Sequence, residues 1–254
     1  MKPVLLLIPG MFNTGAIWDP VRQFLGDSVE VRVADVLTQD SISAMAHDAW
    51  QLVADLEPRR PLVVAGFSMG GYVALELLAT HPGAVHGLAM IDSAAGIETE
   101  QSMQVRHKTI GALERNFERT VEGIISFSLH PNSLRNATLI EGMRSMMHAV
   151  GAAGAIRQTR AIMARRDHRA LLSRLTMPTS IICGRDDKVT PPALTEELQT
   201  LLPHAQVEWI DDAGHQTVLE QAPAVAHHLT TLCQRATAAA ISASFLNSNL
   251  KAHQ

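Results

Sequence analysis

Short, nearly unbroken apolar runs alternate along this chain with segments whose apolar residues recur every three or four positions. The runs are Val4–Ile8, Val29–Ala34, Leu62–Phe67, Val85–Ile91, Thr179–Cys183 and Gln206–Ile210. Apolar runs of this length, bounded by turn residues, read as strands covered on both faces, the pattern of a parallel sheet with helices on either side. Between them, Ile42, Met45, Ala49, Val53 and Leu56 share one helical face. A second helix starts near Met69 and stops near His81-Pro82-Gly83, where proline and glycine end it. Pro223 suits the first turn of a last helix, whose stripe is Val225, Leu229 and Leu232. The closing "ATAAAISASFLNSNLKAHQ" either extends that helix or trails from it.

One segment breaks the alternation. From Ala94 to about Met177 the pattern is helical throughout. Leu113, Phe117, Val121, Ile124 and Ile125 form one stripe; Leu139, Met143, Met146, Met147 and Val150 form another; Ile156, Thr159 and Met163 suggest a third. An all-helical insert after the fourth strand reads as a cap over the sheet's C-terminal edge, where open α/β sheets bind ligands. The plainer alternative is a helical cluster that touches no site. The expected division is a core of residues 1–93 and 178–254 with a cap of residues 94–177.

Length and charge narrow this picture. The chain has 254 residues, 46% of them hydrophobic, enough for a sizeable core. A formal charge of −4 and a pI near 6.3 give no basic surface for nucleic acid or an anionic membrane. Cys183 and Cys233 form no CxxC pair, so no disulfide framework is indicated. The first apolar run stops at Pro9-Gly10, too early for a signal peptide's core. No stretch reaches the roughly 18 apolar residues of a membrane span. A soluble, cytoplasmic protein is expected.

Candidate chemistry centres on "AGFSMGGYVAL", Ala65 to Leu75. Gly66-Phe67-Ser68-Met69-Gly70 fits G-x-S-x-G, with a predicted strand before it and a helix after it. A strand that turns straight into a helix strains its middle residue and crowds the residues two away, so glycine is needed at both. Gly71 would let the helix approach the strand. A serine hydroxyl needs a base to become a nucleophile. Most of the 12 histidines, including His47, His81, His86, His107, His148, His168, His227 and His228, fall in helical or surface-like contexts. His215 instead lies in "DDAGHQ", a loop after the last strand that can reach the sheet's C-terminal edge. The acid that orients an imidazole has candidates in "CGRDDKVTPP", namely Asp186 and Asp187. Ser, Asp and His then follow in the chain order of α/β-hydrolases.

With these three segments in view, the chain resembles the α/β-hydrolase superfamily, particularly its small esterase-like members with a helical cap. "GFSMGGYVALELLATHPGAVHGLAMIDSAA" is similar to that family's elbow, helix and next strand. "CGRDDKVTPP" resembles its G-x-x-D-x-x-x-P turn, which makes Asp187 the acid; Asp186 is the reserve. Asp92 is a second reserve, because some members take their acid from that strand end; loop hydrogen bonding is its other role. "AGHQTVLEQAP" resembles the segment bearing the catalytic histidine, His215. The resemblance makes the Met69 N–H one oxyanion donor. In "IPGMFNTGAIW" the usual His-Gly has become Pro9-Gly10, and Met11 N–H is the expected second donor, with Phe12 the alternative. "ADVLTQDSIS" replaces the family's usual loop after the second strand. The N-terminal β-hairpin of many members is not expected before Val4–Ile8. The implied fold is a six-stranded, mainly parallel sheet of order 2-1-3-4-5-6.

The function so implied is hydrolysis of a carboxylic ester of a small, largely apolar molecule by a serine hydrolase, with no metal and no cofactor. Phe12, Met143 and Met147 are the pocket candidates; Met146 and Met163 are further cap methionines, and all four methionines could equally be core. Arg157, Arg160, Arg165 and Arg166 read as a solvated helix face. The same triad also serves lactonases, carbon–carbon bond hydrolases, thioesterases and perhydrolases, and some proteins of this fold are small-ligand receptors.

Overall fold

A computed structural model of the chain describes residues 2–57 and 60–252, with side chains up to residue 242. Six strands form one sheet: β1 (Val4–Ile8), β2 (Glu30–Val33), β3 (Leu62–Phe67), β4 (Gly87–Ile91), β5 (Thr179–Gly184) and β6 (Gln206–Ile210). All pairings are parallel and the order is β2-β1-β3-β4-β5-β6, as expected. Val29 and Val85 fall just outside their strands, because the ladders begin at Glu30↔Val4 and Gly87↔Val63.

Alternate residues of each strand feed two cores. Leu6, Ile8, Val64, Met90 and Ile181 face α2 (Ile42–Gln51), α3 (Met69–Thr80) and α8 (Pro192–Leu201). Leu5, Leu7, Phe67, Ile91 and Ile182 face α1 (Asp19–Leu25) and α10 (Ala222–Ala252). Central strands are therefore buried on both sides, which is why they read as runs. The C-terminal stretch continues α10 as far as Ala252.

Between β4 and β5 lie α4 (Glu100–Arg115), α5 (Phe117–Ser128), α6 (Ala137–Met163) and the short α7 (Arg169–Leu172). The first predicted stripe is split: Asn116 is extended and caps α5, its side chain accepting from Arg119 N, so Leu113 and Phe117 belong to different helices. The second and third stripes share α6, which breaks at Gly151 (φ 68°). Their apolar faces gather Leu113, Val121, Ile125, Leu129, Met143 and Met147 into a third cluster that also takes Phe12.

Of the arginines expected to form a solvated face, Arg160 and Arg166 are exposed, whereas Arg157 and Arg165 are not. Arg165 is buried, donating to Gly96 O at 2.9 Å and pairing with Glu98. Arg166 and the buried His168 both reach Glu76 on α3, which also accepts from Ser43 Oγ at 2.7 Å. Burial alone would raise the Glu76 carboxyl, but these donors outweigh it and hold its pKa below 4.5. A buried carboxylate needs such partners, and they tie the insert to α3. Arg157 donates to Leu37 O.

How close α3 comes to β1 depends on one position. A Cβ on Gly70 would lie 2.2 Å from Ile8 O, a main-chain atom that cannot swing aside. Gly70→Ala should therefore lower stability by about 3 kcal/mol, the upper end for overpacking, read as a lower urea midpoint with an unchanged m-value.

Candidate active site

β3, β4, β5 and β6 deliver Ser68, Asp92, Asp187 and His215 from their C-terminal ends to one edge of the sheet. Ser68 takes φ 52° and ψ −117°, a conformation strained for any residue with a side chain. It is held there by Ser68 N donating to Ile91 O at 2.8 Å and by Ser93 Oγ donating to Ser68 O at 2.8 Å. Gly66 has no room for a side chain, because its Cβ would meet Gly70 O at 2.2 Å. Gly71 differs from expectation: its Cβ would strike Ser93 Oγ, in the loop after β4, rather than β3.

His215 Nε2 lies 2.9 Å from Ser68 Oγ and Nδ1 lies 2.8 Å from Asp187 Oδ2. The carboxylate accepts, so Nδ1 carries the proton and Nε2 accepts from the serine. Asp187 Oδ1 accepts from the amides of Val189 (2.7 Å) and Thr190 (2.9 Å), and Oδ2 accepts from Thr190 Oγ1 (2.6 Å). Asp186, the reserve, is exposed and its carboxylate lies 3.6 Å from His130 Nε2. Burial acts to lower the His215 pKa, but the Asp187 charge and hydrogen bond, with Asp92 and Glu220 behind them, outweigh it and hold the imidazole above 6.5. Burial acts to raise Asp187, yet His215 and Thr190 hold it below 3.8.

Asp92 makes a different set of contacts from Asp187. Fully buried, it accepts from Gly184 N at 2.9 Å through Oδ1 and from Thr217 Oγ1 through Oδ2. It thereby joins the strand end before Asp187 to the helix start after His215. Burial and the Asp187 charge push its pKa well above the usual carboxylate range. Among the described residues, Asp92, Cys183 and Asp187 place ligand-type atoms within 4.8 Å of one another. All four carboxylate oxygens already accept hydrogen bonds. Burial pushes the Cys183 thiol up to about 12.

Loop amides complete the geometry. Among the described residues neither Met69 N nor Met11 N has a hydrogen-bond partner; for the buried Met69 that is an uncommon state, and Met11 is half-buried at the cavity. Phe12 N is taken: it donates to Gln158 Oε1 at 3.0 Å, while Gln158 Nε2 donates to Val36 O. Phe12 itself is left-handed at φ 66°. The His215 loop is pinned by His215 N donating to Ser128 O at 2.7 Å. Glu220 Oε1 accepts from Gly214 N and Gln216 N.

A cavity of about 840 Å³ opens above Ser68 and His215, within the usual range for small-molecule sites. Phe12, Met11 and Met147 line it along with residues of α4 and α5. Met143 does not: one turn earlier on α6, it is buried among Leu113, Val121 and Ile125. Sequence reading missed Thr190, Gln158, Glu220 and Gln216, whose buried Oε1 has no partner among the described residues. Only Thr190 left a trace: an aspartate three residues before a threonine is the spacing of a side-chain-to-backbone turn.

The alpha/beta hydrolase family matches residues 5–228, and the chain belongs to it. Pimeloyl-acyl-carrier-protein methyl ester esterase of Xanthomonas oryzae pv. oryzae is 27% identical over 247 residues, 89% of this chain and 93% of that protein. RutD of Serratia proteamaculans, named as a candidate carbamate hydrolase, is 27% identical over 230 residues, 85% of each chain. A thermophilic esterase from Thermogutta terrifontis superposes with a TM-score of 0.81 at 25% identity, over 93% of this chain and 91% of that one. Among the described residues no helix is long and apolar enough to cross a membrane.

The pairing should be visible in solution. In an NMR titration the His215 imidazole is expected to protonate with a midpoint above 6.5. Asp187→Asn removes the dominant raising cause and leaves burial opposed only by Asp92 and Glu220, so the midpoint should fall; an unchanged midpoint would contradict the pairing.

Proposed function

We propose that this hydrolase cleaves a carboxylic ester of a small, largely apolar substrate through an acyl-enzyme intermediate. One juxtaposition carries the reading: Ser68, His215 and Asp187 joined at 2.9 and 2.8 Å beside two unpartnered main-chain amides. In this mechanism His215 Nε2 takes the Ser68 proton as Oγ attacks the ester carbonyl, forming the C–O bond of a tetrahedral intermediate. The amides of Met69 and Met11 receive the oxyanion, each worth about 2.7–4 kcal/mol in the transition state. The imidazolium, stabilised by ionised Asp187, protonates the departing alcohol. Water then enters and attacks the acyl carbon as His215 takes its proton; His215 returns that proton to Ser68 Oγ as the bond between Oγ and the acyl carbon breaks, releasing the acid.

Residues 94–177 serve as a cap and residues 1–93 with 178–254 as the hydrolase core, a division supported by α4, α5 and α6 walling the cavity. Phe12 and Met147 are the side chains of the apolar pocket. Similarity to proteins named as ester hydrolases along most of the chain supports the ester as the bond cleaved. This chemistry calls on no metal or organic cofactor.

Turnover of p-nitrophenyl esters of graded acyl length tests the reading. Ser68→Ala should reduce kcat on the order of 10⁶-fold and Asp187→Asn on the order of 10³–10⁴-fold. Protonated His215 cannot accept a proton, so kcat/KM should rise with pH about a midpoint above 6.5. Undiminished turnover by Ser68→Ala, or no turnover of any ester by the native protein, would overturn it.

A further inference from the structure

The charge on the cavity wall runs against the charge of the molecule. The chain carries 21 Lys and Arg against 25 Asp and Glu, yet Arg106, Arg115 and Arg119 line the cavity and no carboxylate does. The acidic residues of α5 turn the other way. Glu118 meets His148 at 3.1 Å and Glu122 meets Arg144 at 2.6 Å, both on α6. Arg106 pairs with Glu98 at 3.3 Å, a carboxylate it shares with Arg165. Arg115, which ends α4, and Arg119, in the first turns of α5, are exposed and have no ion-pair partner among the described residues. These are not the arginines that sequence reading singled out, three of which are engaged elsewhere in the fold.

Beside these cations the wall is apolar and open to solvent. Val105 is 56% exposed, Phe127 54% and Val189 38%, and all three line the same cavity. An uncharged chain would cover the apolar side chains and leave two guanidinium groups facing it unpaired. A chain ending in an oxyanion would bury the same apolar area and also engage the guanidinium forks, which match carboxylate and phosphate geometry.

The geometry points to an ester whose apolar chain ends in an oxyanion, carboxylate or phosphate, held by Arg115 and Arg119 while the ester carbonyl lies at Ser68. This assignment rests on Ser68 being the nucleophile. The oxyanion end selects the substrate and takes no part in bond cleavage, so its loss falls on KM rather than kcat.

The test compares p-nitrophenyl esters of equal length ending in methyl, carboxylate, phosphonate or trimethylammonium, over graded lengths. The carboxylate or the phosphonate series should have the highest kcat/KM, and which of the two leads identifies the oxyanion. Relative to the methyl series, that preference should fall about tenfold or more in the Arg115→Gln/Arg119→Gln double variant. It should turn toward trimethylammonium in Arg115→Glu/Arg119→Glu, and it should weaken as salt is raised. A second arm needs no turnover: octanoate, octylphosphonate and octylammonium are titrated calorimetrically into the native protein and both variants. Anions that bind through the two arginines while no ester is hydrolysed would sink the ester reading and leave the anion site standing. Ser68-dependent turnover indifferent to the chain's end, or anions that bind no better than octylammonium, would overturn the anion site alone.

Discussion

The one-residue turn between β3 and α3 is the constraint on which the rest of the site depends. Ser68 can present Oγ to His215 only from a left-handed conformation, which costs about 1–3 kcal/mol for a residue with a side chain. Nothing in the serine itself offsets that cost. The surrounding main chain does, through Ile91 O and Gly71 N on either side, and Ser93 Oγ from the next strand end adds a third bond. Gly66 and Gly70 let strand, turn and helix sit at separations that any side chain would forbid. The position of Ser68 Oγ is thus a property of the sheet and helix together.

Electrostatics at this edge follows from burial. His215 and Asp187 are both almost wholly buried, where an unpaired charge would be expelled. Their mutual hydrogen bond reverses the effect of desolvation on each, raising one and lowering the other. Asp92 adds a second carboxylate to the same small volume, and there burial wins, pushing its pKa up. Its contacts to Gly184 and Thr217 lock together the two loops that carry Asp187 and His215. Low dielectric makes such a network stiff when every member is satisfied.

The helices between β4 and β5 line the cavity and also fix the loops beside it. Gln158 on α6 holds the Phe12 amide and Val36 carbonyl, setting the loop in which Met11 N stays free. Ser128, the last residue of α5, accepts from His215 N. The same helices form the cavity wall, so a shift of α5 or α6 would alter cavity shape and site geometry at once. At the other end of the insert, Glu76 collects Arg166 and His168 onto α3, the helix that begins after Ser68.

Strand positions, the elbow glycines and the Ser, Asp, His order are local in the chain, and the sequence alone determined them. A buried strand must be apolar along its length, and an elbow must have glycine where backbones touch, so each leaves a contiguous mark. The split of the first helical stripe at Asn116 and the break at Gly151 left weaker marks, since one residue's conformation interrupts an otherwise continuous periodicity. Partnership across the chain left none. Gln158 with Phe12, 146 residues apart, and Asp92 with Thr217, 125 apart, are joined only by folding. Tertiary structure likewise decided that Met143 is core while Met147 meets the cavity, one helical turn apart on the same face. It also buried Arg165 and left Arg115 and Arg119 facing the cavity. A side chain's charge is written in the sequence, but whether it meets a carboxylate, a carbonyl or solvent depends on which helix lies across from it.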